Sequence, residues 1–287
     1  KRRFSSAAKV RSSSVSGLTH EQRCKSCSIE ELCSTPGSRS SLDGLMMNEL
    51  LRVLATMNIE SPLHHAFVLH SRNYRDTSVI LDLLTREAGR YSVVVRGARS
   101  AKSRVRGRLQ PFTPLLLGAL GRSELKTLTS IDFPERSYDL EGDQLLLGLY
   151  VNELLYRLLG RFEPLEALFE EYCHLLDELE SSDEGIEQVR IFELRLLEEL
   201  GYGINFEFDA GSSSRVENES YYRYVVNEGF YRCSGQDEAF FQGEELLCIS
   251  NRELAAVDRN RLRNLTRQSL GALLGDRPLK SRALFRG

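Results

Sequence analysis

The sequence predicts an α+β chain in which a small five-stranded β-barrel precedes a mainly helical domain. Three observations carry this expectation. From His65 onward, short apolar runs broken by turn residues give about five strands in some 70 residues, the cadence of a small closed barrel. Near Tyr138 the texture switches to apolar residues at helical spacing. The charge divides along the same lines: residues 57–140 hold 13 basic and 8 acidic side chains, residues 141–257 hold 8 and 26, and residues 258–287 hold 8 and 2. A formal net charge of −3 therefore hides a basic front, an acidic middle and a basic tail. Such asymmetry points to a nucleic-acid partner.

Residues 1–56 are Ser-rich, begin with Lys and show no sustained apolar period before Leu45. They read as a disordered or non-native extension, because too little apolar surface is available to offset chain entropy. Met57 opens a different texture and reads as the functional start. Within the extension, Cys24, Cys27 and Cys33 stand at a C-x2-C-x5-C spacing. Thiolates so placed can bind zinc or a cluster, but three ligands are incomplete, so neither metal nor cofactor is expected. Cys173, Cys233 and Cys248 lie apart in apolar contexts, where a buried structural thiol is the usual role. No apolar run reaches the roughly 18–20 residues that span a bilayer, and the start lacks a signal-peptide pattern. The expected compartment is the cytoplasm, in association with the nucleoid.

The expected strands are 66–71, 77–84 (a β-branched and aliphatic run with Asp82 inside it), 91–96, 111–118 and 125–131. Polar, Gly-containing turns at 85–90 and 121–124 separate them. These strands define a first domain over 57–138, with either an oligonucleotide-binding (OB) or an SH3-like barrel, which strand count alone does not separate. The second domain, 139–287, is expected to hold helices over 143–159, 165–179 with Pro164 in its first turn, 186–200 stopped by Gly201, and 259–274 stopped by Gly275. Between the last two, 205–233 reads as an irregular insertion with a small hairpin about Asn227-Glu228.

The most informative stretch lies between the third and fourth strands. Arg96, Arg99, Lys102, Arg104, Arg106 and Arg108 crowd one loop without an acidic residue among them. Like charges so close repel and gain nothing from folding alone, so a polyanion is the expected neutraliser; the alternative is a solvated loop without a role. Arg75, Arg90, Arg122 and Lys126 lie on or beside the same strands and extend the candidate track, while Tyr74 and Tyr91 are either stacking platforms or core. The spacing carries no base-reading code, so affinity is expected to be largely independent of sequence. No catalytic constellation stands out: the histidines (His20, His64, His65, His70, His174) offer no metal pair at helical spacing, with His64-His65 reading as a surface pair, and the phosphate-binding G-x-x-x-x-G-K-[ST] loop is absent. The chain is not expected to be an enzyme; a metal-dependent nuclease and a pure protein adaptor are the rival readings.

Several segments resemble the RecO family of bacterial recombination mediators. They are residues 66–90 (AFVLHSRNYRDTSVILDLLTREAGR), 95–99 (VRGAR), 109–114 (LQPFTP), 124–128 (ELKTL), 148–154 (GLYVNEL), 192–203 (FELRLLEELGYG) and 275–282 (GDRPLKSR). The resemblance covers roughly 62–286, with the motifs in order. It implies an OB domain followed by a helical domain, binding of single- and double-stranded DNA, annealing of complementary strands, and help in loading recombinase onto DNA coated by single-stranded DNA-binding protein. It further implies the mediator RecR and the acidic C-terminal tail of single-stranded DNA-binding protein as partners. Some members of the family carry a four-cysteine zinc site in the second domain; here only Cys233 is available, so that site is expected to be missing. In this light the basic tail (Arg259, Arg261, Arg263, Arg267, Arg277, Lys280 and Arg282) is either a counterweight to the acidic middle or a dock for an acidic peptide or a second DNA strand.

Overall fold

A computed structural model describes residues 62–105, 107–181, 185–234 and 240–281. Cys24, Cys27, Cys33, Arg106 and Arg282 lie outside the described residues, as does the whole 1–56 extension. Strands β1 (Leu63–Tyr74), β2 (Ser78–Thr85), β3 (Gly89–Val95), β4 (Leu115–Leu120) and β5 (Leu125–Asp132) close into a barrel in the order β1-β2-β3-β5-β4. Neighbours pair antiparallel except β3 with β5, which run parallel, Ser92 opposite Leu125 and Val94 opposite Thr127. This is an OB-type barrel, and it resolves the choice that strand count left open.

Each residue of β2 is buried. The cause is burial on both faces: Val79, Leu81 and Leu83 point into the barrel with Val68, Tyr91, Val93 and Leu117. Leu84 points outward, with Phe67 and Leu69 of β1, into the core of the helical part. A strand covered on both sides reads as a continuous apolar run instead of an alternation. Asp82 sits within it because Ser92 Oγ donates to its carboxylate at 2.5 Å and His70 Nδ1 stands 3.5 Å away; a buried carboxylate needs such partners.

The helical part comprises α1 (Gly142–Leu158), α2 (Glu166–Ser181), α3 (Gly185–Glu199), α4 (Gly243–Ser250) and α5 (Arg259–Leu274). Helix α1 is the hub. Tyr172 of α2 donates to Asn152 Oδ1 at 2.6 Å, and Asn152 Nδ2 donates back to Val68 O of the barrel at 3.4 Å. Tyr150 donates at 2.5 Å to Glu193 of α3, a fully buried carboxylate that also pairs with Arg190. Strands β6 (Tyr221–Val225), β7 (Gly229–Cys233) and β8 (Phe241–Gln242) form a small sheet in the order β7-β6-β8. The hairpin agrees with expectation; β8 and α4 were not foreseen. Helix α4 starts with a capping box between Gln242 and Glu245, and α5 starts on Asp258, whose carboxylate accepts from the amides of Asn260 and Arg261. Among the described residues, no helix is long and apolar enough to cross a membrane.

Hydrogen bonds and ring contacts hold the segment around the β6–β7 hairpin. Asp209 is buried and accepts from the Gly211 amide at 2.7 Å, closing a tight turn. Phe206, Tyr224, Phe230 and Phe241 pack ring against ring beneath it, with centroids 5.2–5.6 Å apart. The Cys233 thiol donates to Tyr221 O at 3.4 Å.

Candidate nucleic-acid interface

The connection from β3 to β4 is a basic loop seated on apolar pegs. Ala98, Val105 and Leu109 pack against the barrel core, while Phe112 turns the other way, into the helical core. Phe112 adopts φ 62° to do so, and its ring fills the space left by Gly148 of α1. A Cβ at 148 would meet the ring at 2.9 Å. The Arg99 amide ties the loop to the β1–β2 turn through Thr77 O at 2.8 Å. With the pegs inward, the cations face water: Arg75, Arg96, Arg99, Lys102, Arg104 and Arg108 are all exposed. Among the described residues none of these six enters an ion pair. The barrel cations that do pair with the acidic helices are Arg86, with Glu166 and Glu170, and Arg136, with Glu180. Glu166, Glu170 and Glu180 are thus engaged by other arginines, and among the described residues these six loop-end cations have no acidic partner.

The other expected contacts divide by position. Strand β3 starts at Gly89 and delivers the chain to the loop at Val95, a distance of about 20 Å at the usual strand rise. Arg75 sits in the β1–β2 turn at the loop end. Arg90, Arg122 and Lys126 lie at the opposite end of the barrel, near the starts of β3 and β5. Arg90 is half-buried, donates to Leu159 O at 3.0 Å and has its guanidinium 5.6 Å from the Tyr156 ring centroid. Burial and the nearby Arg161 both pull its pKa below the ordinary arginine value. Lys126 donates to Gly121 O at 2.9 Å and lies 5.0 Å from the Phe162 ring centroid, whereas Arg122 is exposed.

Of the two alternatives for Tyr91 the structure selects core, and the reading of His64 needs correction. Tyr91 is only 1% exposed: its hydroxyl meets His64 Nδ1 at 2.8 Å and its ring is stacked on Phe162, so it is barrel core and offers no stacking face. Burial accordingly pushes its phenol pKa upward. His64 is not a surface residue beside His65 but reaches inward, and burial lowers its pKa. Strand alternation is the reason, since it sends neighbours to opposite faces. Tyr74 is half-buried with the Arg75 guanidinium 5.1 Å from its ring centroid. One aromatic at the loop end went unrecognised: Phe133, just beyond β5, carries Arg108 over its ring at 3.7 Å.

On α5, Arg259, Arg263 and Arg267 recur every four residues and are exposed without an ion pair among the described residues, while Leu262, Leu265 and Leu270 face the core. Arg261 alone turns back to the acidic middle, pairing with Glu245. The following segment is stitched to α1: Arg157 donates to the carbonyls of Leu274, Arg277 and Pro278, and Glu153 accepts from the amides of Lys280 and Ser281. The side chains of Arg277 and Lys280 remain in solvent.

Comparison with known proteins agrees with this architecture. The family model described as recombination protein O N terminal matches residues 61–135, and that described as recombination protein O C terminal matches residues 140–283. A DNA repair protein RecO from Yersinia pestis (strain Pestoides F) is 45% identical over 223 residues, covering 77% of this chain and 92% of the relative. The DNA repair protein RecO of Yersinia enterocolitica (serotype O:8 / biotype 1B) is similar to the same extent, 45% over 223 residues.

Proposed function

The chain belongs to the RecO family of DNA repair proteins, and from that premise we propose that the loop end of its barrel grips the sugar–phosphate backbone of DNA. The observation that carries the reading is the row of exposed cations at one barrel end (Arg75, Arg96, Arg99, Lys102, Arg104 and Arg108), without acidic partners among the described residues of a chain rich in carboxylates. Arg106 belongs to the same stretch of sequence. Unpaired charges held at fixed positions match a phosphate chain, whose condensed counterions they displace. Both single- and double-stranded DNA meet that description, and contacts to phosphate fix position without reading sequence.

Annealing follows from the same electrostatics. Two strands repel until basic surface replaces their counterions; once held close, they pair through their own complementarity. No bond is made or broken, so the protein acts as a mediator and not as an enzyme. The exposed stripe of Arg259, Arg263 and Arg267 on α5, continued by Arg277 and Lys280, suits an acidic peptide such as the C-terminal tail of single-stranded DNA-binding protein. Arg282 extends that run in the sequence. Together with RecR, this contact would bring the protein to coated strands and help recombinase to load, in the cytoplasm and on the nucleoid. Annealing of labelled complementary oligonucleotides tests the proposal directly. Acceleration at low salt that fades as salt rises is expected, and a rate equal to that without protein would overturn it, favouring an adaptor that ignores naked DNA.

A further inference from the structure

We infer that Arg108 and Phe133 together form a platform on which an unpaired nucleobase stacks, so that the loop end distinguishes single strands from duplex. This rests on the proposed grip of the loop end on DNA and adds to it a contact that phosphates alone do not make. The geometry is specific. The Arg108 Cζ stands 3.7 Å from the Phe133 ring centroid, a separation that places the guanidinium over the face of the ring. Phe133 is half-buried and packs against the barrel core, so the core supports it from below. Its position is further set by the backbone, since the Phe133 amide donates to Asp132 Oδ1 at 2.8 Å. Arg108 itself is exposed and free of ion pairs among the described residues, and its amide is tied to Val105 O at 3.1 Å.

A guanidinium laid on an aromatic ring is a planar cation with one face covered and the other turned to solvent. Nucleobases stack on such planes, and on aromatic rings, whatever their identity, because every base has a π-face. A base inside a duplex has both faces occupied by its neighbours, so only an unpaired one can use the platform. The same end of the barrel carries a looser version of the arrangement in Arg75 over Tyr74 at 5.1 Å, so the Arg108–Phe133 pair is the better-formed of the two.

The sequence contains no tryptophan, so Phe133→Trp introduces a sole tryptophan at the platform, excited selectively at wavelengths the 11 tyrosines do not absorb. Its emission should be quenched by an oligothymidine but not by an abasic oligonucleotide of equal length, which presents the same phosphates. In parallel, Arg108→Lys keeps the charge and removes the plane. Single-strand affinity should then fall about tenfold, the order of one stacked base, with duplex affinity and salt dependence unchanged. Phe133→Leu, which preserves the apolar cover of the barrel, should reproduce that selective loss. Equal quenching by the abasic strand, or single-strand and duplex affinities that move together or not at all in Arg108→Lys, would overturn the platform while leaving the phosphate grip intact. Failure of the unaltered protein to bind either form of DNA would overturn the grip itself, and the platform with it.

Discussion

Replacing Arg96, Lys102 and Arg104 together by Ala should change how DNA binding responds to salt without weakening the fold. These three side chains are exposed and make no ion pair among the described residues, so their loss removes charge and little else; substitutions of this kind stay within about 0.5 kcal/mol in stability. For single strands the log–log slope of affinity against salt is roughly −0.7 per phosphate neutralised. With Arg75, Arg96, Arg99, Lys102, Arg104 and Arg108 each on one phosphate, the slope is about −4, and affinity falls about 300-fold between about 50 and 200 mM salt. The triple variant keeps half of these contacts, so its slope should be about −2 and its loss over the same range about 20-fold. Fluorescence anisotropy with a labelled oligonucleotide at four or more salt concentrations reads both slopes, and thermal melting checks the fold. An unchanged slope in the variant, or a slope near zero in the unaltered protein, would refute the reasoning. A large fall in melting temperature would show that the loop cations hold the barrel together and would refute it equally.

Three further outcomes follow from the packing and ion pairs. Gly148→Ala should lower stability by about 1–2 kcal/mol although Ala favours helix by about 1 kcal/mol, because the new Cβ meets the Phe112 ring at 2.9 Å; a raised melting temperature would show that Phe112 does not pin the loop there. The bond to Arg136 holds the Glu180 carboxyl down at about 2, well under the ordinary 4.5. A carboxylate depressed on folding adds stability that is complete above about pH 4.5 and lost as pH falls toward about 2; denaturation curves across that window should therefore be flatter for Glu180→Gln than for the unaltered protein, and equal slopes would contradict the pairing. Glu153→Gln should loosen the segment after Leu274, since one carboxylate serves the amides of Lys280 and Ser281 and the Ser281 hydroxyl. Trypsin should cut after Lys280 sooner in that variant (the Arg277–Pro278 bond resists it), and an unchanged cleavage rate would deny the tether.

The parts of the architecture that depend on local pattern were legible in the sequence. The apolar runs of β1 to β5 and the periods of α1, α2, α3 and α5 gave elements whose ends agree with the structure to within a few residues. Helix α4 was missed because eight residues carry barely two turns of period, although Gln242 and Glu245 already stood at capping-box spacing. Strand β8, two residues long, carries no period at all. The segments that resemble the family were legible as strings but not as contacts. In the structure they meet one another: Phe112 of LQPFTP sits against Gly148 of GLYVNEL, Tyr150 of the same segment holds Glu193 of FELRLLEELGYG, and Glu153 holds the backbone of GDRPLKSR.

The candidate site was legible only in part, for a geometric reason. The described cations Arg96, Arg99, Lys102, Arg104 and Arg108 are neighbours in sequence and share the one connection between β3 and β4. Arg90 and Lys126 belong to strands of the barrel and Arg122 to the turn between β4 and β5, but a strand carries its two ends about 20 Å apart, and numbering does not say which end a residue occupies. Tyr91 could be read as either platform or core until the register of β3 turned it inward. Phe133 drew no notice because the guanidinium that covers it comes from the far side of the β4–β5 hairpin.

The most direct test of the loop-end grip uses lysines that the chain already has. Lys102 lies in the basic loop, Lys126 at the opposite end of the barrel and Lys280 in the segment that follows α5. Acylation of the unaltered protein, read by mass spectrometry with and without a short oligonucleotide, reports the three places in one experiment. Strong protection of Lys102, with Lys126 and Lys280 reacting as they do in the free protein, is the predicted result. Protection of Lys126 or Lys280 while Lys102 remains reactive would contradict it.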